Sequence, residues 1–76
     1  MPRLRNVSGK ACVKILCNKF DFKIARRKGS HVVLKKETSD GMIGTVVLDH
    51  KEIKVPTLHN VLKLAKIDES DFEKYL

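Results

Sequence analysis

The residue types best suited to chemistry lie together in one short segment, Arg26-Arg27-Lys28-Gly29-Ser30-His31. An imidazole exchanges protons close to neutral pH, which suits it to general acid–base catalysis. Guanidinium and ammonium groups bind phosphodiester backbones, and a glycine beside them allows a close approach to phosphate. The segment therefore predicts chemistry on a nucleic acid, with His31 as the candidate acid or base; the alternative from the residues alone is that this histidine is a surface residue at the start of a strand.

RNA is the nucleic acid that such a small set of groups can cleave. It carries its own nucleophile, the 2′-hydroxyl beside each phosphate, so cleavage needs a proton acceptor, a proton donor and positive charge, but no metal or cofactor. We predict metal-independent cleavage that leaves a 2′,3′-cyclic phosphate and spares DNA. The candidate phosphate-binding residues here are Arg26, Arg27, Lys28, Gly29, Ser30 and Lys35.

A second group of candidates follows in the polar segment spanning residues 50–56. His50 is either a second proton carrier or phosphate contact, or a solvated loop residue, and both interpretations stay open. Lys51 and Lys54 either bind the RNA backbone or lie in a solvated turn. Asp49 and Glu52 are too isolated to predict an acid pair or a metal site.

Composition favours a polyanionic or acidic partner. The 76 residues contain sixteen Lys and Arg against nine Asp and Glu, a formal net charge of +7. A basic excess of this size attracts polyanions over long range. A chain of this length predicts one domain, residues 1–76, with a site too shallow to enclose a bulky cofactor.

The cysteines and the hydropathy pattern indicate the compartment. Cys12 and Cys17 lie five residues apart in an expected helix, so we predict that they do not pair and that the protein occupies a reducing compartment. The sequence shows no candidate membrane span and no signal-peptide core. We therefore predict a cytoplasmic protein.

Hydrophobic periodicity predicts an α-β-β-β-α-α order. Ser8 is the expected cap of a helix over residues 9–19, and Phe20, Phe22 and Ile24 alternate as in a half-buried strand that ends at the basic cluster. A second strand starts near His31. The turn residues 38–41 lead into a third strand over residues 43–48.

Two further helices complete the order. Thr57 is the expected cap of the second, and Asp68 that of the third, with Ile67 and Phe72 as a hydrophobic staple. Tyr75 is expected in the core, and His59 on an exposed helix face. The order favours an α+β fold in which a three-stranded antiparallel sheet carries the helices on one face.

Three segments give the chain a specific resemblance: Lys28-Gly29-Ser30-His31, Val47-Leu48-Asp49-His50-Lys51-Glu52-Ile53 and Thr57-Leu58-His59-Asn60-Val61-Leu62-Lys63. In this order they resemble the HicA family of small toxins. The resemblance implies a fold like the double-stranded-RNA-binding domain and a type II toxin that cleaves mRNA independently of the ribosome. It also implies catalysis by His31 and a HicB-type antitoxin as partner, with a higher-order toxin–antitoxin complex as a further possibility.

Two positions depart from the family pattern. Leu34 stands where the family often has an aromatic residue, and Pro56 where it often has glycine before the second helix. The first departure affects base stacking near position 34, and the second affects the shape of the loop after the third strand. Neither is expected to change the fold.

Two other functions fit parts of the pattern. A non-catalytic RNA-binding module would use the same cations without cutting, although the expected start of the second helix is not notably basic. A protein-interaction domain is compatible with the toxin hypothesis, because the antitoxin would be its binder. We expect an antitoxin that is acidic at least locally and that covers His31 together with the basic cluster.

Overall fold

Three helices and three strands follow one another in the predicted order in a computed structural model, which describes residues 4–76. The elements are α1 (Gly9–Lys19), β1 (Lys23–Lys28), β2 (His31–Thr38), β3 (Gly41–Leu48), α2 (Val55–Ala65) and α3 (Glu69–Glu73). The strands form one antiparallel sheet in the order β1-β2-β3. The α+β fold, with its α-β-β-β-α order and three-stranded antiparallel sheet, is confirmed.

The sheet has one covered face and one open face. Val32 and Leu34 of β2 and Val47 of β3 are fully buried under the helices, while the residues between them along each strand point to the other face. The hydroxyl of Thr45 donates a 2.8 Å hydrogen bond to the carbonyl of Val61, which ties β3 to α2. The core therefore lies between the sheet and the helices.

Helix α1 begins and packs as predicted. The Ser8 hydroxyl accepts a 3.0 Å hydrogen bond from the backbone amide of Ala11, which caps the helix. Gly9 lies against the backbone that leaves β3, and its amide donates a 2.8 Å hydrogen bond to the carbonyl of His50. A Cβ at this position would stand 2.8 Å from the Cα of Asp49, so the close approach requires glycine.

The first strand differs from its prediction. Phe20 ends α1 instead of beginning a strand, Asp21 has a φ of 61°, and β1 starts at Lys23. Phe22 is buried, but Ile24 is 51% exposed although it pairs with the buried Leu34, because β1 is an outer strand of the sheet. The pairing with β2 shifts between Ile24 and Arg26, so the simple alternation that the sequence suggested does not continue into the basic cluster.

The second helix starts three residues earlier than predicted, so the assignment of Thr57 as its cap was wrong. Lys54 occupies the cap position without a side-chain hydrogen bond, and Pro56 lies in the first turn, where a missing amide costs little. The amide of Val55 donates instead to the Asn6 side chain, at 3.0 Å. This partner is 49 residues away along the chain, beyond the reach of local sequence patterns.

The third helix is capped as predicted. The Asp68 carboxylate accepts a 3.2 Å hydrogen bond from the amide of Ser70, Phe72 is buried, and Ile67 packs on the core beside it. The expectation that Tyr75 lies in the core was wrong, because Tyr75 is 44% exposed. Helix α3 ends at Glu73, so Tyr75 follows it on the surface.

The two cysteines are unpaired, as predicted. Cys12 and Cys17 are free thiols, the first buried and the second half-buried. No helix within residues 4–76 has both the length and the apolar character that crossing a bilayer requires.

Candidate nucleic-acid interface

The open face of the sheet carries a shallow depression around His31, with a volume of about 590 Å³. No acidic residue contributes to its lining. The lining residues are Arg26, Lys28, Gly29, Ser30, His31, Val33 and Val46. Five of the ten residues predicted for the site therefore lie together around an exposed imidazole.

The β1–β2 hairpin sets this arrangement. Lys28 and His31 are opposite each other in the antiparallel pair, and Gly29 and Ser30 form the two-residue turn between them. Gly29 has a φ of 59°, which a two-residue hairpin turn needs and which glycine adopts without strain. Directly opposed side chains have Cβ atoms about 5 Å apart, so the ammonium group of Lys28 lies within reach of the imidazole.

Arg26 extends the positive charge along the same face. It pairs with Val33, the next residue of β2 on the open face after His31, which makes it a diagonal neighbour of the imidazole. Among residues 4–76, neither Arg26 nor Lys28 forms an ion pair with a carboxylate. Both charges are therefore free to meet an anion at this face.

Arg27 lies apart from its two neighbours in sequence. It pairs with the buried Val32, so its side chain projects towards the helices, where its Nη1 donates a 2.9 Å hydrogen bond to Oδ2 of Asp49. The predicted cluster of three cations is thus divided between the two faces of the sheet. Sequence reasoning treated Asp49 as isolated, whereas the alternation of β1 could have indicated this division.

Lys35 is on the open face but outside the depression. It follows His31 by four residues on β2, a rise of about 13 Å, and lines a neighbouring depression that includes Glu37 and Lys23. The structure therefore separates Lys35 from the imidazole.

The candidates after β3 do not join His31 either. His50 and Lys51 line a different depression with Lys10 and Asp49, close to the start of α1. Lys54 is exposed at the cap of α2. His59 is exposed as predicted and contacts the carboxylate of Glu69.

Two residues of the depression escaped sequence reasoning. Val33 and Val46 are opposed on β2 and β3 and supply an apolar surface beside the charged groups. The sequence could have indicated Val33, because residues two apart in a strand, such as His31 and Val33, face the same side of the sheet. In residues 4–76, no three side chains of the His, Cys, Asp and Glu types gather as metal ligands would.

Comparison with protein families decides how this arrangement is classified. The family model described as the HicA toxin of bacterial toxin–antitoxin systems matches residues 9–67. The chain belongs to the HicA toxin family. It is therefore the toxin of a toxin–antitoxin system, with a cognate antitoxin as its partner.

The matched range of this HicA toxin covers the whole sheet, both long helices and His31, while α3 lies beyond it. Searches of curated proteins and of solved structures found no significant match.

Proposed function

We propose that this HicA toxin is a metal-independent endoribonuclease that cleaves mRNA without the ribosome, with His31 as general acid–base catalyst. The observation that carries the proposal is the exposed imidazole on the open sheet face, opposite Lys28, in a depression that contains Arg26 and no acidic residue. A proton-exchanging group thus lies beside two unpaired cations. Cleavage of an RNA phosphodiester uses both kinds of group, because a proton must be transferred and negative charge on the phosphate must be stabilised.

The reaction starts from the 2′-hydroxyl of the RNA. The imidazole of His31 accepts the hydroxyl proton while the 2′-oxygen forms a bond to phosphorus, and the bond from phosphorus to the 5′-oxygen breaks. The leaving oxygen takes a proton from water or from the imidazolium. Arg26 and Lys28 stabilise the negative charge of the pentavalent phosphorane, where fixed charge is most effective.

The shape of the site favours single-stranded RNA. An open depression on a sheet contacts one strand and its phosphates, and Val33 and Val46 offer an apolar surface for a ribose or a base. The products are a 2′,3′-cyclic phosphate and a 5′-hydroxyl, and no cofactor takes part. Such an activity belongs in the cytoplasm, with mRNA as the substrate.

Cleavage of a single-stranded RNA by the purified protein tests the proposal. His31→Ala should lower kcat by about 10²- to 10⁴-fold, the usual contribution of general acid–base catalysis. His59→Ala is the matched control, because it removes an exposed imidazole from α2 and should leave kcat unchanged. Equal kcat for the His31 variant and the wild type would refute the proposal.

The substrate supplies a second test. RNA with a single 2′-deoxynucleotide at the cleaved position should survive, and so should DNA, because neither offers the nucleophile there. A chelator should leave the rate unchanged. RNA that is bound by the wild type but stays intact would instead support the non-catalytic RNA-binding alternative.

We further propose that the cognate antitoxin covers the depression around His31 with an acidic surface. The unpaired charges of Arg26 and Lys28 would then be compensated in the complex. Diethyl pyrocarbonate should modify His31 in the free toxin but not in the complex, whereas His59 should react in both. Equal modification of His31 in both states would argue for inhibition by distortion of the site.

A further inference from the structure

A second cationic surface lies on the other side of the sheet, beside α1. Two depressions that share Lys10 and Asp49 form one continuous groove, which we call the α1 groove. Its charged residues are Lys10, Lys14, Arg27, Asp49 and Lys51. Ala11 and Val13 give it an apolar floor.

The positive charge of the α1 groove is not compensated within the described chain. Helix α1 contains no acidic residue, and Asp49 is already paired with Arg27. Lys10 and Lys14 lie four residues apart on one helix face, where like charges repel, and Lys10 stands in the first turn, near the positive end of the helix dipole. Among residues 4–76 neither lysine forms an ion pair. A bound polyanion would relieve this repulsion.

The α1 groove and the depression around His31 lie on opposite sides of β1, at the edge of the sheet. Strand β1 is an outer strand, and its alternate residues face opposite sides. Arg26 and Lys28 line the depression around His31, whereas Arg27 lines the α1 groove. A strand of RNA that leaves His31 can therefore pass around β1 and meet positive charge on both sides.

We infer that the α1 groove binds the phosphodiester backbone of the RNA outside the cleaved nucleotide, with Lys10 and Lys14 as phosphate ligands. The inference rests on the proposed ribonuclease function and extends it. The rise between the two lysines is about 6 Å, which is close to the separation of neighbouring phosphates in a single strand. Two lysines one helical turn apart, above an apolar floor, match the regular phosphate spacing of a polyanion better than an irregular acidic protein surface.

Binding of oligoribonucleotides to the non-cleaving His31→Ala protein tests the inference. Labelled oligouridylates of about 4 and about 12 nucleotides are suitable probes, since single-strand binding sites span this range of lengths. In that background, Lys10→Gln with Lys14→Gln should weaken binding of the long oligomer about 10-fold and reduce the slope of log K against log salt by about 1.4. Binding of the short oligomer should not change.

The matched control is Lys63→Gln with Lys66→Gln, which removes the same charge from exposed positions in and just after α2. It should leave binding of the long oligomer nearly unchanged. In the protein that retains His31, the Lys10 and Lys14 variant should raise KM for long RNA while kcat stays the same. An unfolded variant would lose kcat as well, so the comparison separates binding from folding.

The outcomes distinguish this inference from the proposed function. If the wild type cleaves RNA and the long oligomer binds the Lys10 and Lys14 variant as tightly as its parent, the inference is overturned and the ribonuclease proposal stands. If those lysines affect only the affinity for the cognate antitoxin, the groove is a protein-binding surface and the inference is likewise overturned. If the wild type binds RNA without cleaving it, the ribonuclease proposal fails, and length-dependent binding still decides the role of the groove.

Discussion

At the residue scale, the direction of each side chain separates residues of the same type. Arg26 and Arg27 are adjacent, yet one lies in the depression around His31 and the other pairs with Asp49 on the opposite face. The same alternation places His31 on the open face and Val32 in the core. Position within the strand, more than residue type, therefore determines which cations lie beside His31.

The two cysteines should differ in reactivity. Burial raises the pKa of the Cys12 thiol from 9.0 to about 12, and also raises the pKa of Cys17, which is only half-buried. A thiol reagent at pH 8 should therefore label Cys17 in the folded protein and reach Cys12 only after unfolding. Peptide mapping by mass spectrometry would show this, and labelling of Cys12 at equal rates with and without urea would contradict it.

The raised pKa of Cys12 also gives stability a pH dependence. Above pH 9.0 the unfolded chain loses this thiol proton while the folded chain keeps it until about pH 12. Between pH 9.0 and about pH 12, rising pH therefore lowers the free energy of unfolding. Below pH 9.0 the thiol is protonated in both states, and stability no longer depends on its titration.

At the element scale, the contact of α1 with the end of β3 depends on one glycine. An added methyl group at Gly9 would meet backbone atoms of residues 48–50, which cannot move aside as a flexible side chain would. This contact also holds the segment after β3 that carries Asp49, the partner of Arg27. Helix packing and the geometry of the α1 groove are thus coupled.

Gly9→Ala should therefore lower the free energy of unfolding by about 1–3 kcal/mol, in spite of the higher helix propensity of alanine. Urea denaturation followed by circular dichroism would measure the change. Gly44→Ala is the matched control, because its Cβ would lie 3.7 Å from the nearest atom, the carbonyl oxygen of Leu34, and should not destabilise. Equal stability of Gly9→Ala and the wild type would show that the backbone can adjust.

At the end of α2, a substitution to glycine should raise the stability of the protein. Lys66 has a φ of 56°, and its amide and that of Ile67 bond to carbonyls of the last turn, as in a Schellman motif. Lys66→Gly should therefore stabilise the protein by about 0.5–1 kcal/mol. Lys63→Gly inside the helix should destabilise it by about 1 kcal/mol. A lower thermal midpoint for Lys66→Gly would contradict this expectation.

Sequence patterns correctly predicted those features that depend on residues close to them in the chain. The bounds of α1, the hairpin turn at residues 38–41 and the cap at Asp68 depend on neighbours in sequence, and the structure confirms them. The start of α2 depends on Asn6, and the exposure of Ile24 depends on the position of β1 at the edge of the sheet. Both causes belong to the tertiary structure, not to neighbouring residues in sequence. For the candidate site, motif spacing indicated His31 and the basic cluster, and alternation along β1, confirmed by its register with β2, separates Arg27 from that cluster.

At the scale of the whole molecule, positive charge lies on both sides of the sheet. The cations of the depression around His31 and of the α1 groove contribute to the formal net charge of +7, whereas the acidic residues of α3 lie outside both surfaces. Such a distribution accelerates the encounter with a polyanion and makes it sensitive to ionic strength. Salt should therefore affect association with RNA more than the chemical step.

The logarithm of kcat/KM should fall linearly with the logarithm of salt concentration. The four proposed phosphate contacts, by Arg26, Lys28, Lys10 and Lys14, correspond to a slope of about −3. Steady-state kinetics over a salt series would give the slope, and kcat should vary little. A slope near zero would contradict binding through phosphates.

The exposed edge of β1 has a consequence for handling this protein. An outer strand leaves backbone groups unpaired, and charged side chains are the usual protection against pairing with another copy. Lys23, Arg26, Arg27 and Lys28 provide that protection here. A toxin made harmless by neutralising these charges would thus become prone to aggregate, whereas replacing the imidazole alone preserves its solubility.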